Sequence, residues 1–236
     1  MNNILDKSLD SQFDKIENLT WFPWVGKGYK CAKRKLLVVG ESHYLNEDSD
    51  ENNEKRRELI IRDKEHTRNC LYEVLINNSW SSKTYSNIME ALCDRGILPD
   101  NKTALSEIAY YNFIQRQMDY SKDTKERPNI NDYKIAWKCF LHIIDILQPT
   151  DCIFVGVESV TLFEEIMDKY GVQYTDIDVL EKLNDAYPKK TSIRLDSKNN
   201  INIIFIKHSS CYFSPGKWHD FLKQQIPEAI EWLNRV

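Results

Sequence analysis

Four short apolar runs, spaced along the chain, limit the folds that this sequence can adopt more than any other feature. They cover residues 36–39, 107–113, 152–155 and 201–206, and each has the length of a strand that is buried on both faces. Between them, apolar residues recur at helical spacing, most clearly over residues 133–147. Because strands separated by helices favour right-handed crossovers, the sequence predicts a three-layer α/β/α sandwich with a central, mostly parallel four-stranded sheet.

The remaining segments complete one domain, 1–236, in which residues 1–34 form a helical and loop extension. Gly96, Gly171 and Pro227 indicate where predicted helices end or kink. The acidic segment 46–55 (NEDSDENNEK) is predicted to be a loop or a frayed helix start. Segment 176–200 is predicted to be an insertion with a short helix and a strand around Ile193. Further helices are predicted over residues 67–77, 85–95, 159–170 and 217–233.

Composition limits the partners and the location that can be expected. A net charge of -4 means that any contact with DNA requires a local basic strip. The six cysteines lack the CxxC spacing of zinc and iron–sulfur sites, so we expect reduced cysteines, no metal and no cofactor. Neither a signal-like N-terminus nor an apolar run of bilayer length is present. We therefore expect a soluble, cytoplasmic, monomeric protein without a membrane partner.

Polar residues and glycines follow all four predicted strands. Because ligands bind beyond the carboxyl ends of parallel strands, these positions predict a cleft at one edge of the sheet. The positions are Gly40, Glu41, Ser42, His43 and Tyr44 after the first strand, Asn112 at the end of the second, Gly156, Glu158 and Ser159 after the third, and Lys207, His208, Ser209 and Ser210 after the fourth.

Taken in order, these strand ends resemble the motifs of the uracil-DNA glycosylase superfamily. GESHY stands in the place of that family's GQDPY-type or GEAPG-type loop, and YYN in the place of its strand-end asparagine. KHSSCYFSPGKW stands in the place of its HPSP-type loop. The resemblance extends over residues 36–233. It implies a glycosylase fold that binds DNA and cleaves the N-glycosidic bond of uracil or of a modified base flipped out of the DNA.

The resemblance also suggests roles for individual residues. Cleavage leaves positive charge on the sugar and negative charge on the departing base. His208 could donate a hydrogen bond to the base, Glu41 could hold water or balance the sugar cation, and Asn112 could read the edge of the base. The alternatives are a core histidine, a capping glutamate and a turn asparagine. Gly40, Ser42, Tyr44, Ser209 and Ser210 are further candidates for substrate binding, and Lys207, Tyr212, Phe213 and Lys217 for DNA binding.

Two departures from the family pattern leave the function open. The best-known branch has a water-positioning aspartate where this chain has Ser42, and a proline where it has His43. A non-catalytic protein that binds DNA or a modified base with the same fold is therefore the main alternative. A serine hydrolase is disfavoured because Tyr44 occupies the second glycine position of GxSxG. A metal hydrolase built on Glu41, His43 and His208 lacks a metal-binding spacing such as HExxH.

Overall fold

The computed structural model describes residues 1, 3–46, 50–93, 100–120, 125–195 and 200–235. The protein is a mixed α/β structure with a central, mostly parallel sheet flanked by helices. The strands in the described residues are β1 Trp24–Val25, β2 Leu36–Gly40, β3 His43–Asn46, β4 Ala109–Asn112, β5 Gln117–Tyr120, β6 Asp151–Val155, β7 Gln173–Tyr174, β8 Asp178–Val179, β9 Lys189–Arg194 and β10 Asn200–Ile206.

The four predicted strands are confirmed as neighbours in one sheet. They lie in the order β4, β2, β6, β10, and each adjacent pair is parallel. The prediction of a four-stranded sheet was wrong, because eight strands of the described residues belong to this sheet. Strand β1 pairs antiparallel with β4, β9 pairs antiparallel with β10, and β7 and β8 both pair with β9. Three of the added strands have only two residues, which is too short to show a periodicity in the sequence.

Helices follow the predicted helical segments with shifted ends. The predicted kink at Pro227 is a break, because one helix ends at Gln225 and the next begins at Pro227. Gly171 ends the helix Phe163–Tyr170 with a left-handed backbone, as predicted, whereas Gly96 lies outside the described residues. The α-helices are α1 Asp10–Phe13, α2 Asp50–Arg62, α3 His66–Leu75, α4 Lys83–Leu92, α5 Asn101–Glu107, α6 Ile130–Leu147, α7 Phe163–Tyr170, α8 Pro215–Gln225 and α9 Pro227–Leu233, and two short 3-10 helices cover Tyr29–Cys31 and Val157–Val160.

The two segments that interrupt the predicted alternation have different outcomes: the first contains the start of a helix, which is one of its two predicted alternatives, whereas the second differs from expectation. Residues 50–55 belong to α2, and residues 47–49 lie outside the described part of the chain. In segment 176–200, the described residues 176–195 and 200 form strands β8 and β9 and the start of β10, and contain no helix. Thr191 and Ile193, which are two residues apart in β9, are both buried. The segment therefore shows the two-residue period of a strand near the edge of the sheet.

Both faces of the central strands are covered, as continuous apolar runs require. Leu36 and Val38 pack in one hydrophobic cluster with α3, α4, α8 and α9. Leu37 and Val39 pack in a second cluster with α6 and α7. Helix α6 starts at a capping box formed by Asn129 and Asp132, which explains its sharp beginning. In the described part of the chain, no helix is both long enough and apolar enough to cross a membrane.

The N-terminal residues contribute to this core. Trp21 and Trp24 are fully buried, and the Trp24 indole N–H donates to the carbonyl of Leu105 at 2.7 Å. The buried guanidinium of Arg68 in α3 donates to the carbonyl of Pro23 and to the carboxylate of Asp10. These contacts attach the N-terminal segment to α5 and to α3.

Candidate functional site

The carboxyl ends of the parallel strands lie at one edge of the sheet, and two of the predicted site residues meet there. Glu41 follows β2 directly, and His208 follows the end of β10 by two residues. Although β6 lies between these strands, the Glu41 Oε2 and His208 Nε2 atoms are 3.7 Å apart. The pair therefore spans three neighbouring strand ends.

Glu41 has a half-buried carboxylate with several cationic or donor neighbours. Its Oε2 accepts from the Tyr44 hydroxyl at 3.0 Å and from Lys125 Nζ at 3.1 Å, and Arg127 lies 4.0 Å from Oε1. Burial raises the pKa of Glu41, but the charge that His208 carries when protonated, the charge of Lys125 and the hydrogen bonds from Lys125 and Tyr44 lower it more. The net pKa is below its usual value, so Glu41 is ionised at neutral pH.

His208 is held with one ring nitrogen toward Ser210 and the other toward Glu41. The Ser210 backbone N–H donates to Nδ1 at 3.3 Å, which assigns the proton of the neutral ring to Nε2. Burial lowers the pKa of His208, the charge of Glu41 offsets this only in part, and Lys125 and Arg127 lower it further. The ring is therefore neutral at pH 7. At 3.7 Å from Glu41, the Nε2–H remains able to donate to a ligand.

The backbone of Asn112 lies beside that of the residue preceding Glu41, next to the pair of Glu41 and His208. It is paired in register with Gly40, next to Glu41, at the end of β4. Its Oδ1 accepts from the Tyr110 hydroxyl at 3.2 Å. Its Nδ2 is buried and makes no hydrogen bond of standard geometry with a described residue, although it lies close enough to the Tyr85 hydroxyl to interact electrostatically. The side chain thus contacts aromatic residues on the α4 side of the sheet and has a donor to offer.

Gly40 leaves no room for a side chain at this edge. A Cβ atom there would lie 2.1 Å from Tyr110 Oη and 2.3 Å from Asn112 Oδ1. We expect Gly40→Ala to displace Asn112 and to lower the free energy of unfolding by about 1–3 kcal/mol, measured by urea denaturation. Gly216→Ala is the matched control, because no heavy atom lies within 4 Å of the added Cβ. Equal stability changes in the two variants would show that the strand ends tolerate the methyl group.

The first part of the loop after β10 is anchored on neighbouring elements. Ser209 is fully buried, its hydroxyl donates to the carbonyl of Thr84 at 2.7 Å, and its own carbonyl accepts from Asn87 of α4 at 2.6 Å. Lys207 donates to the carbonyl of Asn184 at 2.8 Å. Ser209 therefore positions the loop, and its hydroxyl is already engaged within the protein.

The second part of the loop is open to solvent. Tyr212 is 90% exposed and has a left-handed backbone with φ of 50°, which is unusual for a residue with a side chain. Phe213 is half-buried and stacks on Trp218 at 5.5 Å between ring centroids. Lys217 is exposed at the start of α8. Of the two aromatic candidates for DNA binding, Tyr212 is the accessible one.

Ser42 lies in the short loop between β2 and β3, and Tyr44 is the second residue of β3. The Ser42 Oγ atom is buried and makes no hydrogen bond of standard geometry with a described residue, although it is close enough to the Tyr44 hydroxyl to lower the pKa of that group. Burial, then Glu41, raise the pKa of Tyr44 more strongly. The Tyr44 ring also stacks against the Lys125 ammonium at 4.0 Å.

Two cationic residues of this site were missed in the sequence. Lys125 and Arg127 lie between β5 and the cap of α6 and reach the Glu41 carboxylate. The only sequence signal for these two cations is the short segment KER, residues 125–127, which follows no predicted strand. The sequence suggests His43 as a replacement for proline and as a ligand of a metal hydrolase with Glu41 and His208, but its ring is buried against Thr67 and Trp21.

The depressed pKa of His208 has a consequence for stability. The unfolded chain takes up a proton at this residue near its usual pKa of 6.5, whereas the folded chain resists protonation. The free energy of unfolding should therefore fall as the pH decreases from about 7.5 to about 5, and this fall should be smaller in His208→Gln. Urea denaturation of both proteins at several pH values measures the difference. Identical pH dependences would contradict it.

Two surface clefts in the described residues lie elsewhere. One is lined by Phe163, Val179 and neighbouring residues, and the other by Leu183, Lys217 and neighbouring residues, and neither includes Glu41, Asn112 or His208. Neither a comparison with models of known protein families nor a search of curated proteins finds a match to this chain. Support for the candidate site therefore comes from its own geometry.

Proposed function

We propose that this protein is a DNA glycosylase-like enzyme that cleaves the N-glycosidic bond of uracil or of a modified base flipped out of DNA. The observation that carries the proposal is the pair of Glu41 Oε2 and His208 Nε2, 3.7 Å apart at the carboxyl edge of a mostly parallel sheet. The proposal includes the three-layer sandwich of the uracil-DNA glycosylase superfamily and action as a monomer in the cytoplasm.

The charges of the pair suit the two charges that develop in this reaction. The ionised Glu41 carboxylate can stabilise the sugar as it becomes cationic. The neutral His208 ring can donate its Nε2–H to the oxygen of the base as that base becomes anionic. Lys125 and Tyr44 hold Glu41 ionised and oriented, so no reorganisation is required during the reaction.

Recognition of the base is assigned to Asn112 and Tyr44. The buried Nδ2 donor of Asn112 can bind a carbonyl oxygen on the edge of a pyrimidine. The Tyr44 ring, held by its hydrogen bond to Glu41, can form a wall of the pocket. A rigid wall would exclude larger bases, which is one way in which a glycosylase selects its substrate.

DNA contact is assigned to the loop after β10 and to the nearby cations. Tyr212 is exposed on the loop that carries His208, so it can insert beside an extruded base. Lys207, Lys217 and Arg127 can contact phosphates. The proposed phosphate contacts are confined to these cations, because a protein with a net charge of -4 can contact DNA only through a local basic strip.

The second candidate is a protein that binds a modified base or DNA without cleaving it. Two observations favour it: Ser42 carries no carboxylate to position water, and the Glu41 carboxylate already has an ion pair with Lys125. A carboxylate neutralised by lysine stabilises a sugar cation less than a free one does.

A cleavage screen with purified protein distinguishes the candidates. Single- and double-stranded oligonucleotides carry uracil, hypoxanthine, hydroxymethyluracil or hypermodified pyrimidines, and alkali reveals abasic sites. The double variant Glu41→Gln, His208→Gln, purified in the same way, controls for contaminating glycosylases. Abasic product with the natural protein alone is the expected result. Binding of a modified oligonucleotide without product would favour the second candidate, and neither binding nor product would overturn both.

A further inference from the structure

A second cluster of reactive side chains lies apart from the Glu41 pair. It consists of His43 at the start of β3 and of His66 and Cys70, which are one turn apart on α3. One ring nitrogen of each histidine and the Cys70 Sγ all lie within 4.8 Å of one another. Three potential metal ligands from two elements thus converge on one point.

The cluster is held firmly and is not sealed. His43 is buried, its Nε2 lies 2.8 Å from Thr67 Oγ1, and its ring packs edge-on against Trp21 at 4.8 Å between centroids. His66 and Cys70 are half-buried. The histidine rings are 4.5 Å apart between centroids. A small ion can therefore reach ligands whose orientation is already restricted.

The geometry is close to that of a tetrahedral site. Metal–nitrogen bonds of about 2.0–2.1 Å and a metal–sulfur bond of about 2.3 Å place nitrogen and sulfur ligands about 3.5 Å apart. His66 Nε2 and Cys70 Sγ are 3.7 Å apart, which nearly meets this requirement. The other separations, up to 4.8 Å, need small side-chain rotations.

The chemistry of the three groups suits a transition metal. Burial lowers the pKa of both histidines, and the neighbouring His66 adds to this effect at His43, so both rings are neutral at pH 7 and each has one unprotonated nitrogen that can bind a metal. Burial, then the charge of Asp63, raise the pKa of the Cys70 thiol to about 12. A bound cation would replace the thiol proton and would be attracted by the same Asp63 charge.

We propose that His43, His66 and Cys70 bind one divalent transition-metal ion, zinc by preference, with water as the fourth ligand. Two imidazoles and one thiolate are a donor set that selects zinc over magnesium or calcium. The ion would join β3 to α3 and would hold the loop that carries Glu41, since His43 is two residues further along. This site does not depend on the proposed glycosylase activity.

Cobalt(II) is the probe, because its visible spectrum reports both tetrahedral geometry and thiolate ligation. The chelator-treated full chain is titrated with Co(II), and about one ion per chain with a thiolate-to-cobalt absorption band is expected, displaced by Zn(II). Cys70→Ser should remove the band, and His66→Gln should weaken binding by about 100-fold or more. Cys31→Ser and His142→Gln are matched controls at exposed positions and should bind as the natural protein does.

Two results would overturn the proposal. One is the lack of a tetrahedral cobalt spectrum in the folded natural protein. The other is equal binding by the natural protein, Cys70→Ser and His66→Gln, which would indicate adventitious surface binding. Should Cys70→Ser fail to fold by circular dichroism, His43→Gln replaces it, and a rise in Tm on addition of Zn(II) to the natural protein, reduced in His66→Gln, is the independent measurement.

Discussion

Replacement of His208 by glutamine is expected to slow base release by about 100- to 1000-fold. In the proposed reaction the Nε2–H of His208, which lies 3.7 Å from Glu41 Oε2, donates to the departing base, and glutamine does not reproduce its position. Glu41→Gln should cost a comparable factor, because it keeps the shape of the side chain and removes the charge that the proposed mechanism places against the sugar. Single-turnover kinetics on the best substrate of the screen measures both rates.

His142→Gln is the matched control for these variants, because His142 is exposed on α6 and is not part of the site. Its rate should equal that of the natural protein. If His208→Gln and Glu41→Gln also release base at the natural rate, the pair has no part in the chemistry. If both bind the same oligonucleotides as the natural protein and none of the three cleaves, the binding function is favoured.

Trp137→Ala is expected to lower the free energy of unfolding by about 3–5 kcal/mol. Trp137 of α6 is fully buried, and its ring lies 4.9–5.3 Å from those of Phe113, Phe154 and Phe163. Its indole N–H donates to the carbonyl of Thr161 at 2.8 Å, so the substitution leaves both a cavity and an unpaired carbonyl. Guanidinium denaturation measures the change.

Trp80→Ala is the control for the size of the side chain alone, since Trp80 is 48% exposed. Its free energy of unfolding should change by less than about 1 kcal/mol. A loss at Trp137 no larger than the loss at Trp80 would mean that the aromatic cluster between the sheet and α6 adds little to stability.

Much of the fold was predictable because its central strands are unusual in composition. A run such as residues 36–39 is apolar at every position, and only a strand covered on both faces requires this. Strands β7 and β8 were not predictable, because two residues carry no period. Strand β9 alternates weakly and contains several polar residues, so the sequence predicts only a strand around Ile193, within an insertion that also has a short helix; the strand is confirmed and the helix is wrong.

The candidate site was predictable in its residue types and less so in its contacts. The order of strand ends indicated Glu41, Asn112 and His208, because parallel strands bring their carboxyl ends to one edge. The sequence did not indicate that Lys125 neutralises Glu41 or that Ser209 is buried as an anchor. Both contacts join segments that are far apart in the chain.

The sequence by itself determined which segments become central strands and which polar residues follow them, because a period of two or of 3.6 is a local property that neighbouring residues display. Only the tertiary structure decided that the loop after β10 lies on α4 and reaches Glu41, and that His43 meets His66 and Cys70. The physical reason is that these contacts depend on the order of strands and on the packing of helices against them. The whole core determines this packing. The residues that it brings together therefore show no periodic pattern in the sequence.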